Sequence, residues 1–466
     1  MSQEKYKTAP TPTDKMPSGI PYIVGNEAAE RFSFYGMRGI LVVFMTKFML
    51  DASGEADFMS NNDATAVFHL FVAAVYFFPL VGSLLADVFW GKYKTILILS
   101  VVYCLGHLAL AIDETKMGLY LGLALIAIGA GGIKPCVSAH VGDQFGNQNQ
   151  HLLSRVFGWF YLAINLGAFV SSIMIPIILR DYGPHYAFGL PGILMLLATI
   201  LFWMGRNKFV HIPASGWERF RKDTFGKEGV QALLNLSVLY YVFLPVFWAL
   251  FDQTGSSWVI QGLQMETHTV TPFGSFELGA AEVQAFNPLF ILILIPTFSY
   301  VIYPMINLVF PLTPLRKISI GFFLAAASFA ISALIQIRID ADLVNPPHIL
   351  WQALPYLVLT AGEVMVSITC LEFSYTQAPK SMKSFIMSLY FLSMTVGNLM
   401  TAGVNKVIMI DEDNSHLEGA NYFWFFAGVM FVAAVLFIFV ARFYRGKTYI
   451  QDEEQDAAQA REEGIQ

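Results

Sequence analysis

Apolar runs long enough to cross a bilayer recur twelve times, at 27–50, 64–86, 94–112, 117–138, 153–179, 186–205, 232–252, 283–310, 317–338, 349–373, 384–408 and 420–443. A helix of about 20 apolar residues spans the hydrocarbon layer, so the pattern predicts an all-α integral membrane protein with twelve transmembrane helices. Basic residues orient such a chain. Lys92, Lys94, Arg206, Lys208, Arg219, Arg221, Lys222, Lys227, Arg316, Lys317, Lys380, Lys383, Arg442, Arg445 and Lys447 fall on connections that alternate to one side, which is read as the cytoplasm. The connections 51–63, 253–282 and 409–419 hold Asp51, Glu55, Asp57, Glu266, Glu277, Asp411, Glu412 and Asp413 without one Lys or Arg. The expectation is a multi-pass protein of the cell membrane with both termini cytoplasmic.

The longest basic connection, amphipathic at Trp217-Glu-Arg-Phe220, falls between the sixth and seventh runs. It divides the chain into a cytoplasmic tail (1–22), a six-helix bundle (23–205), a linker (206–231), a second six-helix bundle (232–445) and an acidic cytoplasmic tail (446–466) read as solvated. This 6+6 plan resembles the major facilitator architecture, which implies two halves that rock about a site near the midplane. Gly82-Ser-Leu-Leu-Ala-Asp87-Val-Phe-Trp-Gly91-Lys92-Tyr-Lys94 fits its loop between helices two and three.

With 56% hydrophobic and 13% charged residues and a mean hydropathy of +0.55, a soluble enzyme is excluded. The lipid bilayer is the solvent, and nothing points to nucleic acid. Cys104, Cys136 and Cys370 lie in apolar segments, and no zinc-ligand spacing or nucleophile elbow occurs; no metal, cofactor or enzyme activity is expected. The first 20 residues carry Lys5, Lys7, Lys15 and several prolines without an apolar core, which predicts a short disordered tail rather than a cleaved signal.

Against this apolar background the intramembrane charges stand out. Glu27, Glu30, Arg31, Phe34, Tyr35 and Arg38 fall at offsets 0, 3, 4, 7, 8 and 11, one stripe of a helix. A charge at mid-membrane costs about 2.5–3.5 kcal/mol on insertion scales, so the stripe should face a watery cavity or opposite charges. Lys134, in Gly129-Ala-Gly131-Gly132-Ile-Lys134-Pro135, reaches the same inner half; its glycines and proline imply a weakened helix lining that cavity. Glu363, with Ser367 one turn below, is the natural counter-ion for Lys134. Tyr161 and Asn165, and His69 and Tyr76, each share a face, Asn287 opens the eighth helix, and Asp252, at the end of the seventh, lies level with Arg38. Arg31 and Lys134 on one wall and Glu363 on the other suit a small zwitterion. Phe34, Tyr35, Tyr76, Trp248 and Tyr390 add apolar surface, and Glu27 and Glu30 remain as titratable groups.

These residues resemble the proton-coupled oligopeptide transporter family. The resemblance runs through Glu27-x-x-Glu30-Arg31-Phe32-x-Phe34-Tyr35, Gly131-Gly-Ile-Lys134-Pro with Asp143-Gln-Phe, Phe160-Tyr161-x-x-Ile-Asn165-x-Gly167, Phe247-Trp248-Ala-Leu-x-Asp252-Gln, and Gly362-Glu363 followed by Glu372-Phe-Ser-Tyr-x-Gln-Ala-Pro379. It implies proton-driven import of di- and tripeptides. Glu363, Asn165 and Asn287 would hold the peptide amino terminus; Arg31, Lys134 and Tyr35 its carboxylate. Glu27 and Glu30 would carry protonation with Arg31, Lys134 and His69 beside them. Tyr76, Trp248 and Ser367 would complete the peptide site, Lys134 would latch the inner side onto Glu363 or the helix-one glutamates, and Arg38 with Asp252 would latch the outer. The linker is too short for the two extra helices of many bacterial members, and 339–348 is too short for the extracellular domain of animal ones. No Arg occurs between 231 and 260 and Ser299 stands near an acidic position of some members, so their helix seven to eight latch is absent. Alternative readings are a related carrier of nitrate, amino acids or another small anion, and a nutrient sensor signalling through the acidic tail, Asp452–Glu463.

Overall fold

The computed structural model describes residues 6–10, 12–146, 148–149, 152–214, 216–225, 234, 236–271, 274–370, 383–410 and 417–443. The signature at 372–379 and the acidic tail lie outside them. The chain folds into α1 (Ile20–Lys47), α2 (Asn61–Trp90), α3 (Lys92–Ile112), α4 (Lys116–Gly142), α5 (Leu153–Tyr182), α6 (Pro184–Met204), the short α7 (Trp217–Thr224), α8 (Leu236–Gly262), α9 (Glu282–Val309), α10 (Pro314–Ala341), α11 (Ile349–Ile368), α12 (Lys383–Ile410) and α13 (Ala420–Phe443). Ten of these are long and apolar enough to cross a membrane. α1 and α12 are equally long at 28 residues each, but α1 carries the charged stripe and α12 carries Asn398, Thr401 and Asn405 at helical spacing.

Two large apolar cores organise the helices, with a small third cluster at Phe298, Val364 and Met365. One draws on residues from Ile20 to Phe209, the other on residues from Leu236 to Phe437. Between them runs a seam in which α2 lies along α12, and α5 along the start of α9. Polar side chains collect there because each helix turns its apolar faces to its own core or to lipid.

Three sequence expectations need correction. The glycine run of α4 does not unwind it: the helix is continuous from Lys116 to Gly142. The glycines instead let backbones meet, since a Cβ on Gly82 would stand 2.1 Å from the Gly132 carbonyl oxygen and one on Gly131 2.5 Å from that of Val75. Gly82→Ala is therefore expected to cost about 1–3 kcal/mol through overpacking, read as a lower melting temperature in detergent. Second, α8 does not stop at Asp252. It passes through one tight turn, Asp252–Gly255, and resumes to Gly262; the connection after it holds the antiparallel pair His268–Thr271 and Gly274–Glu277, the one pair of strands among the described residues.

Third, the N-terminal segment is docked. The Tyr6 ring stacks on His211 at 4.2 Å, the Lys7 carbonyl accepts from the His211 amide at 2.7 Å, and Asn149 Nδ2 donates to the Lys15 carbonyl at 3.1 Å. Aromatic stacking and backbone pairing hold what composition alone made a tail. The helix itself begins at Ile20, with Pro21 in its first turn and Ile20 and Ile23 buried in the first core. At the same end of the bundle Gly91 adopts φ +76°, and Lys92 Nζ reaches Asp143 Oδ2 at 2.8 Å, tying the start of α3 to the end of α4.

Candidate functional site

A cavity of about 380 Å³ opens in the seam. Its walls come from both halves of the chain. Glu27, Arg31, Tyr35 and Arg38 line it from α1, Tyr76 from α2, Lys134 from α4 and Asn165 from α5; Trp248 from α8, Asn287 from α9, Glu363 and Ser367 from α11 and Tyr390 from α12 face them. The structure thus brings together all nine residues expected to touch a peptide. Glu30 and His69 are not on the lining; both are buried behind it.

The helical stripe on α1 explains the first cluster. Arg31 Nε lies 2.6 Å from Glu27 Oε1, one turn back, and 3.2 Å from Glu30 Oε2. One guanidinium nitrogen thus sits between two buried carboxylates, hydrogen-bonded to Glu27 and ion-paired with Glu30. On the opposite wall Glu363 Oε2 accepts from Asn287 Nδ2 at 2.7 Å, and the same amide donates to Thr360 Oγ1 at 3.1 Å. Trp248 Nε1 is buried without a hydrogen-bond partner among the described residues.

The expected Lys134–Glu363 pair is not formed. Lys134 joins no ion pair within 4.0 Å among the described residues; its ammonium sits 4.2 Å from the centroid of the Phe34 ring and 6.0 Å from that of Tyr76. The cavity separates the two charges, Asn287 already serves Glu363, and Arg31 holds the nearer glutamates. An aromatic face is the electrostatic partner left to Lys134.

Arg38 and Asp252 do meet, with Arg38 Nη2 2.6 Å from Asp252 Oδ1. Asp252 Oδ2 accepts from Asn398 Nδ2 at 2.7 Å. That amide orientation turns Asn398 Oδ1 toward His69 Nδ1 at 2.6 Å, so the imidazole carries its proton there and takes the Ser256 hydroxyl at Nε2, 2.9 Å away. Five side chains from α1, α2, α8 and α12 form one buried chain across the seam. Asn398 and Ser256 escaped sequence reasoning, although an amide in the apolar run around Met394 was a signal. So did Arg180 at the end of α5, 3.6 Å from Glu282 and 3.9 Å from Glu277; no spacing rule connects charges so far apart in the chain. Gln284, whose Nε2 donates to the Gly39 carbonyl at 2.8 Å, also joins the lining.

Two helical bundles around a central cavity with opposed charges give the chain the architecture of the membrane-carrier class. The family model PTR2, POT family, matches residues 93–227 and 218–425, and the chain belongs to that family of proton-coupled oligopeptide transporters. It is 37% identical over 369 residues to "Peptide transporter family 1" of Drosophila melanogaster, a match covering 70% of this chain and 48% of the relative. It is 32% identical over 455 residues to human "Solute carrier family 15 member 1", covering 85% and 62%. The chain spans less than two thirds of the length of either. A crystal structure of an auto-inhibited POT family peptide transporter superposes with a TM-score of 0.83 at 35% identity, over 94% of this chain and 99% of that one.

Proposed function

We propose that the chain is a symporter that imports di- and tripeptides by alternating access, driven by protons, in a cell membrane with both termini on the cytoplasmic side. The observation that carries this reading is the pair of opposed walls, with Arg31 and Lys134 across the cavity from Glu363 and Asn287. A zwitterion satisfies both walls at once. The peptide carboxylate takes Arg31, Lys134 and Tyr35, with charge-assisted hydrogen bonds from the guanidinium; the ammonium takes Glu363, Asn165 and Asn287. Tyr76, Trp248, Ser367 and Tyr390 flank the side chains, and a volume of about 380 Å³ lies in the range of small-molecule sites, about 300–1,000 Å³.

Coupling follows from Arg31. While Glu27 and Glu30 are ionised they hold the guanidinium; a proton on either weakens that hold and releases Arg31 to the peptide. The halves 23–205 and 232–445 then rock about the cavity, joined by the linker 206–231. Arg38 and Asp252, with His69 alongside, close the outer side, and Lys134 moves between the helix-one glutamates and Glu363 as the inner side closes. The 446–466 tail takes no part in transport.

Purified chain in liposomes with an inside-negative potential and an inward proton gradient is expected to accumulate labelled dialanine. A protonophore should collapse the accumulation, and unlabelled dipeptide but not nitrate should compete. Uptake that nitrate suppresses, or accumulation indifferent to the protonophore, overturns the proposal.

A further inference from the structure

α3 carries Ser100, Tyr103 and His107 at offsets 0, 3 and 7, and α1 carries Asn26 and Glu30 one turn apart. All five are at most 1% exposed, and each has a side-chain nitrogen or oxygen buried without a hydrogen-bond partner among the described residues. Glu30 touches Arg31 only as an ion pair at 3.2 Å, and His107 has the Phe188 backbone as a polar neighbour. None of the five lines the central cavity.

Tyr103 links two of the others. The Tyr103 and His107 ring centroids are 5.0 Å apart, and the Tyr103 phenol lies within electrostatic reach of the Glu30 carboxylate. Both rings sit in slots shaped by glycine: a Cβ on Gly129 would stand 2.7 Å from Tyr103 Cβ, and one on Gly192 2.9 Å from His107 Cβ. Packing needs none of these polar atoms, since leucine or phenylalanine would fill the same slots without burying an unmet donor or acceptor.

At its far end the string meets a groove walled mostly by apolar side chains, Leu108, Ile112, Ile193 and Leu196 among them. His107 lines a second cavity, about 300 Å³, between α3 and α6 with Cys104 and His185. It lies where α3 ends at Ile112 and α6 begins at Pro184, which is the outer end in the orientation proposed above. His185 Nδ1 lies 2.7 Å from the Ala111 carbonyl, so this nitrogen carries the proton and Nε2 stays open as an acceptor. The other ionisable groups around the string are Glu27 and Arg31 on α1, Lys134 on α4 and Cys104 on α3.

We propose that Tyr103 and His107 are the middle of a hydrated proton path, from the outer end of the α3–α6 groove to Glu30. The driving proton then reaches the helix-one glutamates through the first bundle, not through the peptide cavity. This rests on the proton-coupled reading of the chain. Water molecules bridge the side chains, since sites with unmet polar groups hold bound water. A proton arriving at one ring nitrogen of His107 releases another from the second. Tyr103 accepts a proton at its oxygen as it passes on its own. Glu30 ends as a carboxylic acid, and rotation of the His107 ring and of the Tyr103 hydroxyl resets the relay, so one proton taken from outside makes one O–H bond. A separate path lets proton and peptide bind in either order, because an occupied cavity does not block Glu30.

The test uses the full chain in liposomes without peptide. After a rapid drop in external pH, the infrared band of a carboxylic acid is followed in time, with Glu30→Gln identifying the Glu30 contribution by its loss. Tyr103→Phe and His107→Leu are each expected to slow the rise of that band at least tenfold while dialanine counterflow stays within twofold of the parent. A band that rises at the parental rate in both variants overturns the path. Counterflow that falls in step with the band also overturns it, by making the residues structural. Because the band is read without peptide, a parent that fails to concentrate dialanine would refute the symport reading and leave the path to be judged separately.

Discussion

Glu30→Gln is expected to abolish concentrative uptake while sparing exchange. In the parent, each net charge carried inward gains about 2.3 kcal/mol per 100 mV, which corresponds to an accumulation of about fifty-fold at that potential before any pH gradient is added. Glutamine is nearly the same size and cannot take up the proton. Arg31 keeps Glu27 at 2.6 Å and loses the 3.2 Å contact to Glu30, so it is held in the partly released state that protonation otherwise creates. Peptide then still binds and crosses, but without a proton on Glu30 the ratio of inside to outside dialanine falls to about one. Counterflow, which needs only peptide on both sides, should continue within a few-fold of the parental rate. Full accumulation by Glu30→Gln together with lost exchange would take the coupling role away from Glu30 and leave it a structural part of the carboxylate site.

The stripe that makes this prediction possible was legible because helical spacing alone places Glu27, Arg31, Tyr35 and Arg38 on one face. The same local rule placed His69 with Tyr76. Adding the orientation from the basic connections put Lys134 and Glu363 at compatible depths, and the cavity lining gathers them. What the sequence could not supply was distance across the seam. Depth along two helices says nothing of the gap between them, so depth pairs Lys134 with Glu363 whereas the ammonium rests on Phe34. Glycines were ambiguous for a similar reason: Gly131 and Gly132 fit unwound backbone and close packing equally well, and only the neighbouring α2 backbone decides. Asn398 carries little signal in the sequence because an amide in an apolar helix is common, and its importance comes from two partners elsewhere in the chain, His69 and Asp252.

That amide makes Asp252→Ala the substitution with the largest expected effect on stability. Asp252 is 2% exposed and accepts from Arg38 on one oxygen and Asn398 on the other. Removing it leaves a buried guanidinium uncompensated, a change that typically costs about 3–5 kcal/mol. It also frees Asn398, and with it the hydrogen-bond chain through His69 to Ser256. Because Arg38 belongs to α1 and Asp252 to α8, the lost interaction is one between the two halves. The variant should therefore melt at a markedly lower temperature in detergent and transport poorly. Arg38→Ala combined with Asp252→Ala should recover part of the loss, since removing both charges leaves neither unpaired. A double-mutant cycle separates this from simple damage. A coupling of about 3 kcal/mol is expected between the two positions, whereas strictly additive losses would mean that the 2.6 Å contact contributes nothing to holding the halves together.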